Sequence, residues 1–212
     1  MSLRRERILR VAARLADEGG LDAVSMRRLG EALRVEAMSL YRHVTGKEDV
    51  LDGLADLVVS QFEVPTPEPD WKAAMRRSAI SAHEVLLRHP WASGLIESRR
   101  SAGPARLRYL EAVIAVLAAA GFTMPMAVRA IMVLDSYVYG FVLQELAWPF
   151  EAETAREDAA AFARALPAGA YPNLLALAEM AASTSRESLI EFEFGLDLLL
   201  DGLDRHRAVP GA

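Results

Sequence analysis

Apolar residues recur at helical spacing along almost the whole chain, and no useful length shows the alternation that is typical of a strand. Residues 3 to 18 place Ile8 and Leu15 on one stripe with arginines opposite, and Gly19-Gly20 predicts the end of that helix. The same pattern continues, with glycine and proline interruptions, to about residue 204. The sequence therefore predicts an all-α protein. Its 212 residues, 52% of them hydrophobic, are enough to bury a sizeable core.

A proline-rich segment, VPTPEPD at 64 to 70, interrupts the helical pattern. Proline cannot continue a helix and restricts the residue before it, so this segment predicts a domain boundary. We expect a small three-helix domain at 1–46, a connecting helix at 47–64 and a larger helical domain at 65–212. The helices predicted in the larger domain lie at 71–88, 91–99, 104–121, 123–147, 171–182 and 186–204. The alanine-rich stretch 151–170 is expected to be mobile.

The net charge of −5 is distributed unevenly along the chain. Residues 1–46 contain nine Lys/Arg and six Asp/Glu, a balance of +3, so the remainder carries 15 against 23, or −8. An acidic surface repels the phosphate backbone, so a contact with nucleic acid is expected only at the basic N-terminal part. Charge alone favours such a contact weakly, because basic termini also occur in proteins that bind no polyanion.

Several kinds of site have no signature in the sequence. The absence of cysteine excludes disulfides and thiolate chemistry, and the four histidines show no metal-ligand spacing. Without a G-x-S-x-G motif or a glycine-rich phosphate loop, we predict neither an enzyme nor a cofactor. The best acid–base group available comprises His83, Glu84 and His89. No signal peptide or membrane span is predicted, and the expected location is the cytoplasm.

Residues 25 to 43 have the pattern of a helix, a tight turn and a second helix. Ser25 precedes MRRLGEAL as an N-cap, because its hydroxyl can accept an unpaired amide hydrogen. A short helix follows at 36–43, with Leu40 facing inward. This arrangement in the basic part of the chain is typical of a helix-turn-helix, whose second helix enters the major groove of DNA.

Three motifs carry a resemblance to a known family: I-L-x-x-A-x-x-L-x-x-E-G-G at 8–20, S-M-R-R-L at 25–29, and L-x-V-x-x-x-x-L-Y-x-H-V-x-x-K-x-x-V-L at 33–51. They resemble the tetracycline-repressor (TetR) family of bacterial transcriptional regulators. Beyond residue 64, Trp71, LLRHP, LEAVIAVLAAAGF and FGLDLLLDGL are similar to the ligand-binding domain of the tetracycline-responsive members. The resemblance covers nearly the whole chain and implies a homodimer that binds a palindromic operator on double-stranded DNA.

The resemblance also implies which residues contact DNA. It assigns Tyr41 and Lys47 to phosphates, and His43 to bracing the turn after the second helix. Arg27 lies in the first turn of its helix, where its guanidinium could bind a guanine edge through two hydrogen bonds. The predicted DNA-binding set is Ser25, Arg27, Arg28, Ala37, Met38, Ser39, Tyr41, Arg42, His43 and Lys47. Each member alone has an ordinary alternative, such as a solvated arginine or a packed tyrosine.

Two residues depart from the family pattern. Arg34 occupies a turn position that is usually glycine, and an arginine in the left-handed conformation costs about 1 kcal/mol. Gly30 replaces a small alanine, which preserves close contact between helices but weakens its own helix by roughly 1 kcal/mol. Both departures therefore concern the geometry of the helix-turn-helix.

The long helix at 123–147 and the last helix carry more apolar surface than one chain is expected to cover. Small residues let helices approach closely, so two such helices from each of two chains could form a four-helix bundle. The predicted dimer interface is Tyr137, Gly140, Phe141, Gly195, Leu198, Leu199 and Gly202. A larger monomeric core is the alternative.

The resemblance further implies a small-molecule effector that moves the connecting helix and so changes the separation of the two DNA-reading helices. Tetracycline-responsive members hold drug and Mg²⁺ with a histidine, a carboxylate, an asparagine and a phenylalanine. The corresponding places in this chain hold Glu97, Gln144, Ser78 and Ala82. Because the chelating set is mostly missing, we predict no metal and a largely apolar effector, oriented by a few polar groups. A one-residue shift in the alignment would bring Glu145 to the carboxylate position, which leaves a metal as the alternative. The predicted pocket comprises Ser78, Ala82, Glu97, Leu110, Val113, Ile131, Asp135 and Gln144.

Two other functions stay open on the sequence alone. An effector-independent regulator would bind DNA and use its C-terminal domain only to dimerise. A cavity of roughly several hundred cubic ångströms between the helices at 71–88, 104–121 and 123–147 would argue against that function. The second alternative is an enzyme. We expect repression rather than activation, whereas the effector, the operator and the regulated genes have no sequence signature.

Overall fold

Helices are the regular elements of this chain, whose computed structural model describes residues 4–147, 155–167, 169–183 and 191–207. These residues contain no β-strand, which confirms the predicted all-α class. The helices are α1 Arg5–Gly19, α2 Met26–Leu33, α3 Ala37–Leu40, α4 Lys47–Val59, α5 Trp71–Arg88, α6 Ala92–Ser98, α7 Pro104–Ala119, α8 Met124–Leu146, α9 Ala155–Ala165, α10 Pro172–Ser183 and α11 Phe192–His206. A short 3-10 turn at Leu21–Ala23 joins α1 to α2.

The first three helices pack against one another and against α4, and Ile8 and Leu40 are fully buried in a core that continues into the larger domain. Ser25 is the N-cap of α2 as predicted, because its hydroxyl oxygen accepts a hydrogen bond from the Arg28 N–H at 3.2 Å. The cap satisfies an amide that has no partner within the helix and fixes the residue at which α2 begins.

The turn between α2 and α3 depends on two unusual backbone positions. Arg34 has φ 57° and ψ 46°, and is the one non-glycine residue with positive φ in the described part of the chain. A Cβ on Gly30 would lie 2.9 Å from the Val35 carbonyl oxygen, closer than such contacts normally come. Glycine at position 30 therefore lets the start of α3 approach the backbone of α2.

The helix predicted at 36–43 is wrong in length, because α3 ends at Leu40. After that residue, the N–H groups of His43 and Val44 both donate to the Leu40 carbonyl, at 2.9 and 3.1 Å. Because both N–H groups share one carbonyl, the chain forms a tight turn here and α3 does not continue. Tyr41 and Arg42 consequently lie in this turn.

α4 runs from the N-terminal helices into the larger domain. Near its middle, Gly53 lies against Leu9 of α1. At its C-terminal end, Val59 contributes to the wall of a cavity within the larger domain. One helix thus contacts both parts of the molecule.

In the larger domain α8 packs against α5, α7 and α11, while α9 and α10 pack mainly against each other. Trp71, at the start of α5, contacts the Phe122 ring edge-to-face with centroids 4.9 Å apart. The stretch expected to be mobile contains α9, so that prediction missed a helix. The last helix begins at Phe192 among the described residues, and the predicted start at 186 lies outside them.

α8 is the one helix in the described ranges that is long and apolar enough, by length and composition, to cross a membrane. It carries Arg129 and Asp135 and packs against four other helices of the domain, α5, α6, α7 and α11. Only 28% of its most apolar stretch is buried within the chain, so a large apolar face stays uncovered.

Candidate functional site

The surface around α3 exposes large apolar side chains in a basic region. Met38 and Tyr41 have relative exposures of 74% and 48%, although neighbouring Leu40 is fully buried. The predicted DNA-binding residues all reach the surface: Arg27, Arg28, Met38, Tyr41, Arg42 and Lys47 are exposed, and Ser25, Ala37, Ser39 and His43 are half-buried. All ten predicted DNA-binding residues therefore have side chains that are at least partly accessible.

Arg27 is not free in the isolated chain. Its Nη1 donates to the Glu31 carboxylate at 2.8 Å, one helical turn further along α2. Both side chains are exposed, so the pair contributes only about 0.3–0.5 kcal/mol. Contact with a base edge would require Arg27 to exchange this carboxylate for the new partner.

The first turn of α4 contains two carboxylates, which would oppose a nearby phosphate if they were unpaired. Asp49 forms an ion pair with Arg5 and accepts a hydrogen bond from the Thr45 N–H at 2.8 Å. Glu48 forms an ion pair with Arg99. Both carboxylates are paired with arginines, and the amine of Lys47 is exposed. The N-terminal end of α4 can therefore attract an anion.

A cavity of about 350 Å³ lies between α4, α5, α7 and α8 and the loop before α7. Five predicted pocket residues line it, namely Ala82, Leu110, Val113, Ile131 and Asp135. The remaining lining residues are Val59, Phe62, Met75, Ala79, Arg99, Arg100, Ala102, Arg106, Tyr109, Leu134, Val138 and Tyr139. Most of the wall is apolar, and its polar groups are concentrated on α7, α8 and the loop between α6 and α7.

Three predicted pocket residues do not line the cavity: Ser78, Glu97 and Gln144. Ser78 is buried behind Tyr109: its hydroxyl donates to the Glu63 carbonyl at 2.8 Å and lies 2.9 Å from the Tyr109 hydroxyl. Gln144 follows Asp135 by nine positions, which at about 100° per residue puts it half a turn away on α8. It is exposed on the side away from the cavity.

Asp135 is the carboxylate of the cavity wall. Water can reach it from the cavity, but protein surrounds it on its other sides, and this burial together with the nearby charge of Glu97 raises its pKa to about 6. The Arg106 guanidinium lowers the pKa in part. Burial also raises the pKa of Tyr109 to about 12, so its phenol stays neutral and can donate a hydrogen bond.

The side chains around the cavity do not fit a chelated metal. Glu97 and Gln144, which hold the places of the metal-binding residues in tetracycline-responsive members, lie outside the cavity wall. In the described part of the chain, no three His, Asp or Glu side chains cluster as metal ligands would.

Arg99 connects the cavity wall to α4. Its Nη1 lies 2.7 Å from Glu48 Oε2 and 3.2 Å from Asp52 Oδ1. Only 19% of the side chain is exposed, and its Nε is buried without a hydrogen-bond partner. Asp52 also accepts a hydrogen bond from the Ser101 hydroxyl at 3.0 Å. The loop before α7 is thus joined to two carboxylates of α4.

A third carboxylate of α4, that of Asp56, caps the next helix of the domain. Its Oδ1 accepts hydrogen bonds from the N–H groups of Ala105 and Arg106, at 2.8 and 3.0 Å. The N-cap residue of α7 is Gly103, which has no side chain to perform this role. A side chain on Gly103 would collide with the Asp56 carboxylate, so glycine is needed for this contact.

The predicted interface residues divide between internal contacts and open surface. Tyr137 donates to the Phe192 carbonyl at 2.7 Å, and Gly195 lies against Tyr137 of the same chain instead of on an open seam. Phe141 packs on the Phe192 ring, and Leu199 is half-buried against the core. On the open side, Leu198 is 58% exposed, and a Cβ on Gly140 or Gly202 would meet nothing within 4 Å.

The acid–base group predicted as the best available is divided between two places: His83 and Glu84 line a surface pocket beside Phe192, whereas His89 does not line it. His83 stacks on Phe192 at 4.1 Å, and its Nε2 lies 2.8 Å from the Glu145 carboxylate. His89 is bonded instead to Asp17 of α1, at 2.7 Å. These histidines join helices to one another and do not meet in a cleft.

Two family profiles together match most of the chain. The profile described as "Bacterial regulatory proteins, tetR family" matches residues 8–54. The profile described as "Tetracyclin repressor-like, C-terminal domain" matches residues 64–207.

Individual relatives agree with the profiles. The chain is 33% identical over 209 residues to the HTH-type transcriptional repressor DrrR1 of Streptomyces coeruleorubidus, covering 94% of this chain and 76% of that protein. It is 28% identical to the class C tetracycline repressor protein of Escherichia coli, covering 97% and 92%. The structure of the Streptomyces coelicolor TetR family protein ActR in complex with actinorhodin superposes with a TM-score of 0.81 at 29% identity, covering 99% and 100%. The chain therefore belongs to the TetR family of bacterial transcriptional regulators.

Proposed function

We propose that this protein is a repressor that binds a palindromic operator as a homodimer and releases it when a small, largely apolar effector enters the C-terminal domain. The observation that carries the proposal is the position of the cavity. Val59 of α4 lines the cavity, and Arg99 in the cavity wall contacts Glu48 in the first turn of α4. That turn begins with Lys47 and follows the other proposed DNA-binding residues in the sequence. A molecule in the cavity would thus adjoin the helix that leads to the operator.

We assign DNA binding to residues 1–46, connection to 47–64, and effector binding and dimerisation to 65–212. The exposure of Met38 and Tyr41 amid arginines supports the first assignment, because such side chains gain from contact with a base methyl or a phosphate. The ten DNA-binding residues predicted from the sequence remain our proposed contacts. A cytoplasmic location follows from this role.

The uncovered apolar face supports the homodimer. α8 leaves Met132 and Leu143 exposed, and α11 leaves Phe194 and Leu198 exposed. Exposed apolar surface of this extent on two helices marks an interaction site in a soluble protein. Two copies of each helix would form a four-helix bundle and present two DNA-reading segments at once.

The cavity also favours the effector-responsive function over an effector-independent one. A domain that only dimerises gains from a filled core, whereas this core retains about 350 Å³ with a mixed apolar and polar wall. ActR, solved in complex with actinorhodin and with (S)-DNPA, is a relative that accommodates small molecules.

The test is operator binding by fluorescence anisotropy, with duplexes from the region upstream of the protein's own gene. We expect Arg27→Ala to lose binding while Arg10→Ala, an exposed arginine of α1 paired with Glu6, retains it. Affinity should fall with salt by about 0.9 in log K per phosphate contact per log unit of salt. A flat salt titration, or equal binding by both variants, would contradict the proposed DNA surface.

A further inference from the structure

The side chains that line the cavity carry more positive than negative charge, which was not predicted from the sequence. Arg99, Arg100 and Arg106 line the wall, against the single carboxylate of Asp135. The rest of the wall is apolar apart from two tyrosines. A purely apolar molecule would form no hydrogen bonds with these three guanidinium groups. The kind of molecule that the cavity can bind therefore depends on which of the three already have partners within the protein.

Two of the three arginines are partly or fully committed within the protein. Arg106 Nη1 donates to the carbonyls of Ile96 and Arg99, at 3.1 and 3.2 Å, and its charge acts on Asp135. Arg99 uses only Nη1, for Glu48 and Asp52. The opposite edge of that guanidinium, formed by Nε and Nη2, has no hydrogen-bond partner in the described part of the chain. This edge can bind a carboxylate through two parallel hydrogen bonds, but because Nε is buried the guanidinium must first turn toward the cavity.

Arg100 is the uncommitted charge. It lines the cavity, is exposed, and forms no ion pair or hydrogen bond with the described residues. Its neighbour Arg99 offers a buried, unsatisfied N–H group in the same wall. An unpaired cation beside a buried donor, at the edge of a mostly apolar cavity, is complementary to a molecule with an apolar body and an anionic end.

We propose that the effector is an apolar molecule that carries an acidic group, and that this group binds Arg100 and the free edge of Arg99. The inference rests on the proposed function, because it names the chemical class of the effector for the same cavity. The apolar body would lie against Val113, Ile131 and Val138. The neutral phenol of Tyr109 and the carboxyl of Asp135 would remain for hydroxyl or carbonyl groups of the same molecule.

The experiment uses two fluorescent probes with a common skeleton, the anion anilinonaphthalene sulfonate and the neutral N-phenylnaphthylamine. Both are titrated into the full-length protein. We expect the sulfonate to bind about tenfold tighter than the neutral probe, equivalent to about 1.4 kcal/mol. Arg100→Gln should abolish this preference by weakening the sulfonate alone. Arg108→Gln removes an exposed arginine of α7 that does not line the cavity, and should change neither affinity by more than about twofold.

A cavity-filling variant, Ala79→Phe, identifies binding inside the cavity, since Ala79 is a buried part of its wall. If its melting temperature falls, Ala102→Trp in the exposed loop serves instead. Equal affinities for the two probes, both lost on filling the cavity, would overturn the acidic effector while leaving the proposed function intact. A preference that survives Arg100→Gln would likewise overturn it. Binding of both probes that is unaffected by filling the cavity would contradict the proposed function as well.

Discussion

The guanidinium of Arg99 lies 2.7 Å from the carboxylate of Glu48, and this contact joins the wall of the cavity to the first turn of α4. The same turn begins with Lys47, one of the proposed phosphate contacts. We expect a change in the position of Arg99 to move the start of α4, because Arg99 contacts both Glu48 and Asp52 of that helix. Further along α4, Asp52 and Asp56 hold the same loop and the start of α7.

The cap that Asp56 provides should be measurable as stability. Asp56→Ala leaves the Ala105 and Arg106 N–H groups without their acceptor, and should lower the free energy of unfolding by about 1–2 kcal/mol. Asp22→Ala, at an exposed position before α2, is the control and should cost less than about 0.5 kcal/mol. Urea unfolding followed by circular dichroism measures both. Equal losses would show that the cap contributes nothing special.

Gly30 and Gly94 are both helical glycines, and they should respond to alanine with opposite signs. Alanine gains about 1 kcal/mol of helix propensity at either position. At Gly94 the new Cβ meets nothing within 4 Å, so stability should rise. At Gly30 it would lie 2.9 Å from the Val35 carbonyl oxygen, which is backbone, so α3 must shift and stability should fall by about 1–3 kcal/mol. Thermal unfolding decides, and a stabilised Gly30→Ala would refute the close approach.

Removal of the partner of Arg27 should strengthen operator binding. Glu31→Gln frees the guanidinium from its 2.8 Å pair, and should lower the operator Kd about two- to threefold. Glu18→Gln is the control, because it removes the same charge from a longer ion pair of the same spacing, 3.9 Å from Arg14 on α1. Anisotropy titrations at fixed salt compare the two variants. If the control gains as much affinity, the effect reports net charge and not Arg27.

The pH dependence of stability should contain a contribution from Asp135. Its pKa is raised to about 6 in the folded protein from an ordinary 3.8, so the stabilising protonation is complete below pH 3.8 and is lost as pH rises through 6. Asp135→Asn should therefore stabilise at pH 7.5, by about 1 kcal/mol once water in the cavity is allowed for. The gain should vanish near pH 4. Glu111→Gln on the exposed face of α7 is the control, and a gain independent of pH would contradict the assignment.

The proposed homodimer depends on the exposed face of α8 and α11. Leu198→Arg places a charge on a side chain that is 58% exposed in the single chain, and should raise the dimer dissociation constant at least about a hundredfold. Val64→Arg, between α4 and α5, has similar exposure but lies outside this face. Sedimentation velocity measures the outcome. Dimers of unchanged stability in both variants would exclude α11 from the interface.

The elements of the fold follow largely from local signals. Helix α5 was predicted at 71–88 and occurs at Trp71–Arg88, because a proline segment precedes it and a His-Pro pair follows it. The N-cap at Ser25 was predicted from its neighbours in the sequence, and the left-handed Arg34 was implied by the family resemblance. One helix that was missed is α9, whose sequence AREDAAAFARA has Phe162 as its one large apolar residue.

The candidate site was predicted only where a residue's phase on its helix was clear. Ile131 and Asp135 share the cavity face of α8, whereas Gln144 was placed there by the resemblance to tetracycline-responsive members and lies half a turn away. The cavity arginines were missed, although Arg99 and Arg100 stand together just before a Gly-Pro helix start. Their role depends on α4 carboxylates far away in the sequence, and such contacts leave no local pattern.

The use of Asp56 as the cap of α7 has a mechanical consequence. Hydrogen bonds weaken steeply beyond their normal length, so α4 cannot slide by small increments while retaining both amides. Either the cap is kept, or it is exchanged for a different set of partners. If an effector acts through α4, we expect the helix to occupy one of two discrete positions. Few molecules should have α4 in an intermediate position, even when the effector concentration rises gradually.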